Sequence, residues 1–175
     1  MPQAVTHIIV PLVLADIYRD YIAKNKFNIR YVLIAGLAGL LPDIDVLFAW
    51  LFKSSLNVTI SEIHRTITHS LLFPLFFLVL FFLAKNYNPK FLKKQKLRFN
   101  YVLLAIAFGT LIHIILDFTF SGIVYVLYPL SSFSIGLNLI PLKYFEGTFF
   151  AGLDAIILVI WLIHEELKHR ISDYI

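Results

Sequence analysis

A chain of 175 residues that is 59% hydrophobic and only 15% charged, with mean hydropathy +0.82, is too apolar for an ordinary water-soluble domain; such domains carry about 45–50% apolar and about 25% charged residues. The absence of cysteine excludes disulfides and thiolate metal sites, leaving imidazole and carboxylate as the available ligands. The net charge of +4 does not point to nucleic acid, because the basic residues lie in short links between apolar runs and there report membrane topology.

A spanning helix needs about 20 mostly apolar residues, and five segments qualify as candidates. Residues 4–22 form the first, which carries His7 and Asp16. No positively charged region precedes it, so it reads as a retained helix rather than a cleavable signal. The second runs over 31–41, meets Pro42-Asp43-Ile44-Asp45 and continues apolar to 52, which predicts a short span followed by an interfacial helix. The third, 67–84, is rich in aromatics and contains Pro74, a potential kink. The fourth, 101–120, contains His113 and Asp117, and the fifth, 149–164, contains Asp154. Between these two, Pro129, Gly136 and Pro141 break an apolar stretch that reads as interfacial or re-entrant. With no repeat and no low-complexity linker, residues 1–175 read as one domain, an all-α polytopic bundle of about five spans.

Three basic links orient it. Lys24, Lys26 and Arg30 join the first two segments; Lys85, Lys90, Lys93, Lys94, Lys96 and Arg98 join the third and fourth; Lys168 and Arg170 follow the fifth. Alternating spans put all three on one face, which the positive-inside rule makes cytoplasmic, with the N-terminus outside and the C-terminus inside. His7, Asp43, Asp45, His64, Arg65, His69, His113, Asp117 and Asp154 then converge on the outer end. Ionisable groups at membrane depth cost about 2.5–3.5 kcal/mol each on insertion scales, so several in one layer argue for a site. His113 and Asp117 are i,i+4 on one helical face and can address one ion. Imidazole with carboxylate fits zinc, manganese or iron, and the set is large enough for one or two ions with some residues orienting the ligands.

Taken singly, each residue has a plainer explanation. His7 could be interfacial, Asp43 and Asp45 a helix stop in the headgroup layer, His64 and Arg65 solvated loop residues, and His69 a neighbour of capping Thr66 and Thr68. A lipid-facing His113/Asp117 pair is harder to dismiss, as is Asp154 in an apolar helix. Asp16, on the basic side, reads as a partner of Arg19 or a lysine. His164 and His169, beside Glu165, Glu166 and Lys168, read as a solvated helix end.

Thr6-His7, Leu41-Pro42-Asp43-Ile44-Asp45, His64-Arg65-Thr66-Ile67-Thr68-His69-Ser70, and His113 to Asp117 followed by Gly122 and Tyr128-Pro129 span nearly the whole chain. Together they resemble the family of LexA-regulated, membrane-bound, metal-dependent hydrolases, the YdjM-like family. The His-Arg-x-x-Thr-His-Ser element joined to Pro-Asp-x-Asp is the specific part. The His-x-x-x-Asp element is similar to that of zinc-dependent phospholipases C. The resemblance implies metal-dependent hydrolysis and does not identify the substrate. The expectation is a hydrolase with metal ligands His7, Asp43, Asp45, His64, His69, His113, Asp117 and Asp154. Asp45 and His64 would serve catalysis, and Arg65 would clamp an anionic oxygen, with a membrane-lipid phosphoester as the favoured substrate. A transporter or a non-catalytic membrane scaffold are the alternatives. The oligomeric state is not readable.

Overall fold

The computed structural model describes residues 4–23, 28–56, 64, 66–137, 139 and 147–170. Helix α1 (Ala4–Ile17) runs through Pro11 and continues as a wide π turn over Tyr18–Ile22. Helix α2 (Ile29–Ala38) is capped by Asn28, whose side chain accepts from the Arg30 backbone N–H. After the turn at Pro42, α3 (Ile44–Leu56) follows. A 3-10 turn, Ile67–His69, leads to α4 (Leu72–Leu83), so the third apolar helix begins five residues later than the sequence predicts. The short α5 (Lys90–Lys94) precedes α6 (Phe99–Leu116), which continues into a second π turn, Asp117–Ser121. The last element among the described residues is α7 (Gly147–His169).

The all-α expectation needs one correction. Val124–Tyr125 and Ser134–Ile135 pair as a two-stranded antiparallel ribbon, Val124 opposite Ile135 and Tyr125 opposite Ser134. Two features explain it: prolines remove helical donors from this stretch, and β-branched Val124 and Ile135 favour the pleat. Backbone bonds from Leu71 N–H to the Val126 carbonyl (2.9 Å) and from Leu137 N–H to the Phe118 carbonyl (2.9 Å) fix the ribbon over the ends of α4 and α6. The interruption thus caps the bundle rather than crossing it.

Among the described residues α1, α2, α4, α6 and α7 alternate between two ends. The cross-links give the directions: Thr6 meets Asp154 and Asp20 meets His169, so α1 and α7 are parallel. Arg98 N–H donates to the Tyr31 hydroxyl and His113 reaches the Gly39 carbonyl, so α2 and α6 are parallel too. Close approach is set by glycines. A Cβ on Gly39 would land on the carbonyl oxygen of His7, and one on Gly109 on the carbonyl oxygen of Ala35. These two positions pull α1, α2 and α6 together at the His/Asp end.

Only Phe99–Phe120, 22 residues with mean hydropathy 2.1, is both long and apolar enough to cross a bilayer by itself among the described residues. Helix α2 has ten residues, about 15 Å, and α1 carries Asp16, Arg19 and Asp20 in its last turns. The outer surface is nonetheless apolar: Leu75, Phe76, Val79, Phe82 and Leu83 on α4 and Ile156, Val159, Ile160 and Ile163 on α7 are all exposed. Contiguous apolar surface of this extent marks a lipid or protein contact.

Candidate metal centre

Four side chains meet where α2 ends, α4 begins and α6 turns. His113 lies on the inner face of α6, fully buried, and its Nδ1–H donates to the Gly39 carbonyl oxygen at 2.6 Å. That bond fixes the tautomer and leaves Nε2 as a lone-pair donor. The Nε2 of His69, likewise fully buried, stands 3.2 Å away. Asp43 Oδ1 is 3.4 Å from His69 Nε2 and 3.6 Å from His113 Nε2. Asp117 Oδ2 is 3.4 Å and 3.7 Å from the same two nitrogens. Ligands about 2.0–2.1 Å from a tetrahedral ion stand about 3.3–3.4 Å apart along the edges of the tetrahedron. The two histidine nitrogens keep that spacing, within a few tenths of an ångström, from each other and from both carboxylates.

The surrounding groups orient the ligands. His69 Nδ1 faces Asp45 Oδ2 at 3.3 Å, a carboxylate–imidazole pair of the kind that aims a histidine at a metal. Asp45 is held in turn by the Thr68 hydroxyl (2.8 Å) and by His64 Nδ1 (3.1 Å). His7, on the first turn of α1, stacks on His113 with ring centroids 3.9 Å apart and puts Nε2 3.5 Å from Asp117 Oδ1. Three overlapping groups therefore have ligand spacing: His7/His113/Asp117, Asp43/His69/His113 and Asp45/His64/His69. His7 Nδ1 is buried with no hydrogen-bond partner among the described residues, a second sign that the cluster is built for something besides itself.

Electrostatics follow from the same contacts. Burial opposes ionisation of Asp43 and Asp45, yet hydrogen bonds from His69 to Asp43, and from His64, His69 and Thr68 to Asp45, hold both carboxyls below their ordinary range. Burial likewise opposes protonation of His69, but the bonds to Asp43 and Asp45 win and raise it to about 9. Without an ion, a proton on His69 balances the carboxylates.

Of the residues singled out from sequence, His7, Asp43, Asp45, His64, His69, His113 and Asp117 come together. Asp154 is buried but engages the Thr6 hydroxyl at 2.9 Å, one residue from His7, outside the three groups. Arg65 lies outside the described residues. The sequence reading missed the Gly39 carbonyl, a backbone atom with no signature beyond its glycine.

The opposite end needs a larger correction. Asp16 does pair with Arg19 (3.0 Å), but His164 and His169 are not a solvated terminus. Arg19 also binds Asp20 (3.0 Å) and Glu165 (2.9 Å), while Lys168 and His169 close on Asp20 at 3.1 and 3.0 Å, and the Trp161 indole donates to Asp16. Asp16, Asp20, His164 and Glu165 also have ligand spacing, but the guanidinium of Arg19 and the ammonium of Lys168 already supply the positive charge there. The network joins α1 to α7.

A family model described as YdjM inner membrane protein matches residues 1–171. The chain belongs to this family. No curated protein and no solved structure matches it. Membership makes it a membrane protein and accounts for the lipid-like outer surface, and the YdjM match runs from before His7 to beyond His169, across both ends of the bundle.

Proposed function

We propose that the chain is an integral-membrane, metal-dependent hydrolase whose substrate is a phosphoester of a membrane lipid or similar amphiphile. The observation that carries the reading is the ligand spacing of His69 and His113 from each other and from both Asp43 and Asp117. A divalent ion held there, zinc or else manganese or iron, supplies Lewis acidity and lowers the pKa of a water toward about 7. Gly39 and Asp45 lock the two imidazoles. Asp43, its side chain 30% exposed, marks the open side of the site, and His64 (14%) is the most exposed of the cluster's histidines. His64, braced through Nδ1 by Asp45, has its other nitrogen for moving a proton between water and leaving group. Arg65, next in sequence, clamps the anionic oxygen. His7 and Asp117 would serve a second ion.

In this reading the five alternating helices all cross the bilayer, the shorter ones within a locally thinned or adapted membrane. The basic links then lie in the cytoplasm and the site faces outward. Single cysteines in this cysteine-free chain test that orientation. Asn88 is a poor position, since its side chain bridges Leu97 and Phe99; Lys93 is exposed. Lys93→Cys should react only from the cytoplasm and Asn57→Cys only from outside. The reverse pattern would move the site to the inner leaflet.

Chemistry is tested on a panel of phospholipids and bis-p-nitrophenyl phosphate, with metal content measured in the same preparations. Arg65→Ala should keep the metal and lose at least about a hundredfold in phosphoester turnover, and Arg65→Lys should remain impaired because it lacks the bidentate fork. Full activity with alanine at 65 would make this arginine a headgroup anchor and remove the case for phosphoesters. A transporter would need a polar path between the two ends, and Ile9, Ala15, Val32 and Ala35 fill the intervening core.

A further inference from the structure

The cavity of about 1000 Å³ lies away from the His/Asp cluster, at the basic end between α1, α2 and α6. Its origin is the helix geometry. Gly39 and Gly109 draw the three helices into contact at the site end, whereas toward the other end side chains such as Leu14, Leu104 and Phe108 line the gap. The wall is apolar over its depth and ends in two cations, Lys96 and Arg98, at the mouth. No carboxylate lines it among the described residues. Tyr18 and Tyr101 stand at the same rim, where interfacial aromatics sit in membranes. From Arg98 at the mouth to Phe108 at the deep end is ten residues of helix, about 15 Å, half of a hydrocarbon core about 30 Å thick.

We infer that this groove is a binding site for an anionic phospholipid, with an acyl chain along Leu14, Leu104 and Phe108 and the phosphate between Lys96 and Arg98. The inference does not depend on the hydrolase reading, because it concerns the other end of the molecule. Charge complementarity selects the occupant: a zwitterionic lipid would bring a third positive charge to a mouth that already holds two. Basic pockets between spanning helices are where anionic headgroups are taken up. Lys96 adds an independent mark. It holds the left-handed position (φ 56°) of a Schellman turn closing α5, with Leu97 N–H bonding the Leu92 carbonyl at 2.8 Å and Lys96 N–H the Lys93 carbonyl at 3.0 Å. Glycine is the usual residue there, and a lysine in its place is strained. The strained residue supplies half of the mouth's charge.

The test uses the whole protein reconstituted in phosphatidylcholine containing a minority of phosphatidylglycerol, then extracted in mild detergent, with retained lipid counted by native mass spectrometry. Phosphatidylglycerol should be retained at least about tenfold above its share of the bilayer. The double variant Lys96→Gly/Arg98→Gln should abolish the enrichment, and Lys90→Gln/Lys93→Gln, which removes equal charge from the same link outside the groove, should leave it intact. Lys96→Gly alone relieves the backbone strain, so the fold is kept while one cation goes, and it should lower the enrichment several-fold. Equal retention of both lipids by the unaltered protein, an unchanged enrichment in Lys96→Gly, or an equal loss in the Lys90/Lys93 variant would each overturn the site.

Discussion

Replacing His113 by alanine should lower the affinity for a divalent ion by more than about a hundredfold. Structural zinc sites with four ligands are worth about 10–16 kcal/mol, so one ligand represents roughly 2.5–4 kcal/mol. The loss should be matched only at His69, because these two residues each belong to two of the three groups with ligand spacing. His164→Ala, at the Arg19 network, should leave the ion in place. Asp45→Asn removes no ligand shared by His69 and His113 but releases His69, and a loss of about 10–100-fold is the expected scale for such an orienting partner. The titration carries a pH signature. His69 in the ion-free protein stays protonated up to about 9, so binding through its Nε2 below that pH displaces a proton. Apparent affinity should therefore fall about tenfold for each unit of pH below about 9, until the carboxylates also begin to protonate. Calorimetry in buffers of different ionisation enthalpy reads the proton directly. Equal metal loss in His164→Ala, or binding without proton release at pH 7.5, would disperse the single site drawn here.

Gly39→Ala should be the most damaging single-methyl change in the chain. The added carbon would occupy the position of the His7 carbonyl oxygen, so α1 must withdraw from α2. Overpacking of this kind costs roughly 1–3 kcal/mol and more when backbone must move. Because Gly39 also supplies the carbonyl that fixes His113, the variant should lose metal together with stability, a pairing that a remote core defect would not produce. Gly109→Ala, which would meet the Ala35 carbonyl, should destabilise in the same way while sparing the His113–Gly39 bond more. Gly152→Ala is the control. Nothing lies within 4 Å of where its methyl would sit on α7, and the substitution should be neutral or stabilising by up to about 1 kcal/mol. Thermal unfolding in detergent with parallel metal analysis decides. A tolerated Gly39→Ala would show that α1 is not held against the turn before Pro42.

The site was largely legible because ligands announce themselves by type and by depth. His113 and Asp117 at i,i+4, and Pro-Asp-x-Asp at a helix end, point to one another once the basic links set the direction of each helix. Residue type could not separate ligand from support. Asp43 and Asp45 differ by two positions, yet one faces both His69 and His113 and the other braces His69 and His64. Only the turn after Pro42 distinguishes them. The Arg19 network was hidden for a different reason: its partners on α7 are about 145 residues away, and a helix ending in His-Glu-Glu-Leu-Lys-His looks like any solvated terminus. A signal was present, since Trp161, Glu165, Lys168 and His169 follow helical spacing along one stripe. The ribbon was missed because two-residue strands leave no periodicity to read.

The seam between α1 and α7 bears on the order in which the chain assembles. Arg19 is flanked within its own helix by Asp16 and Asp20, so the first helix meets the bilayer with one negative charge in excess. Lys168 and His169, which answer Asp20, and Glu165, the third carboxylate on Arg19, come only with α7. The same helix brings Asp154 to Thr6, beside His7. Until it arrives, the opening segment of the polypeptide is an incomplete electrostatic half, and the wall behind His7 is missing. Completion of the His/Asp cluster is thereby tied to the docking of α7, with α1 and α7 serving as a closing clasp.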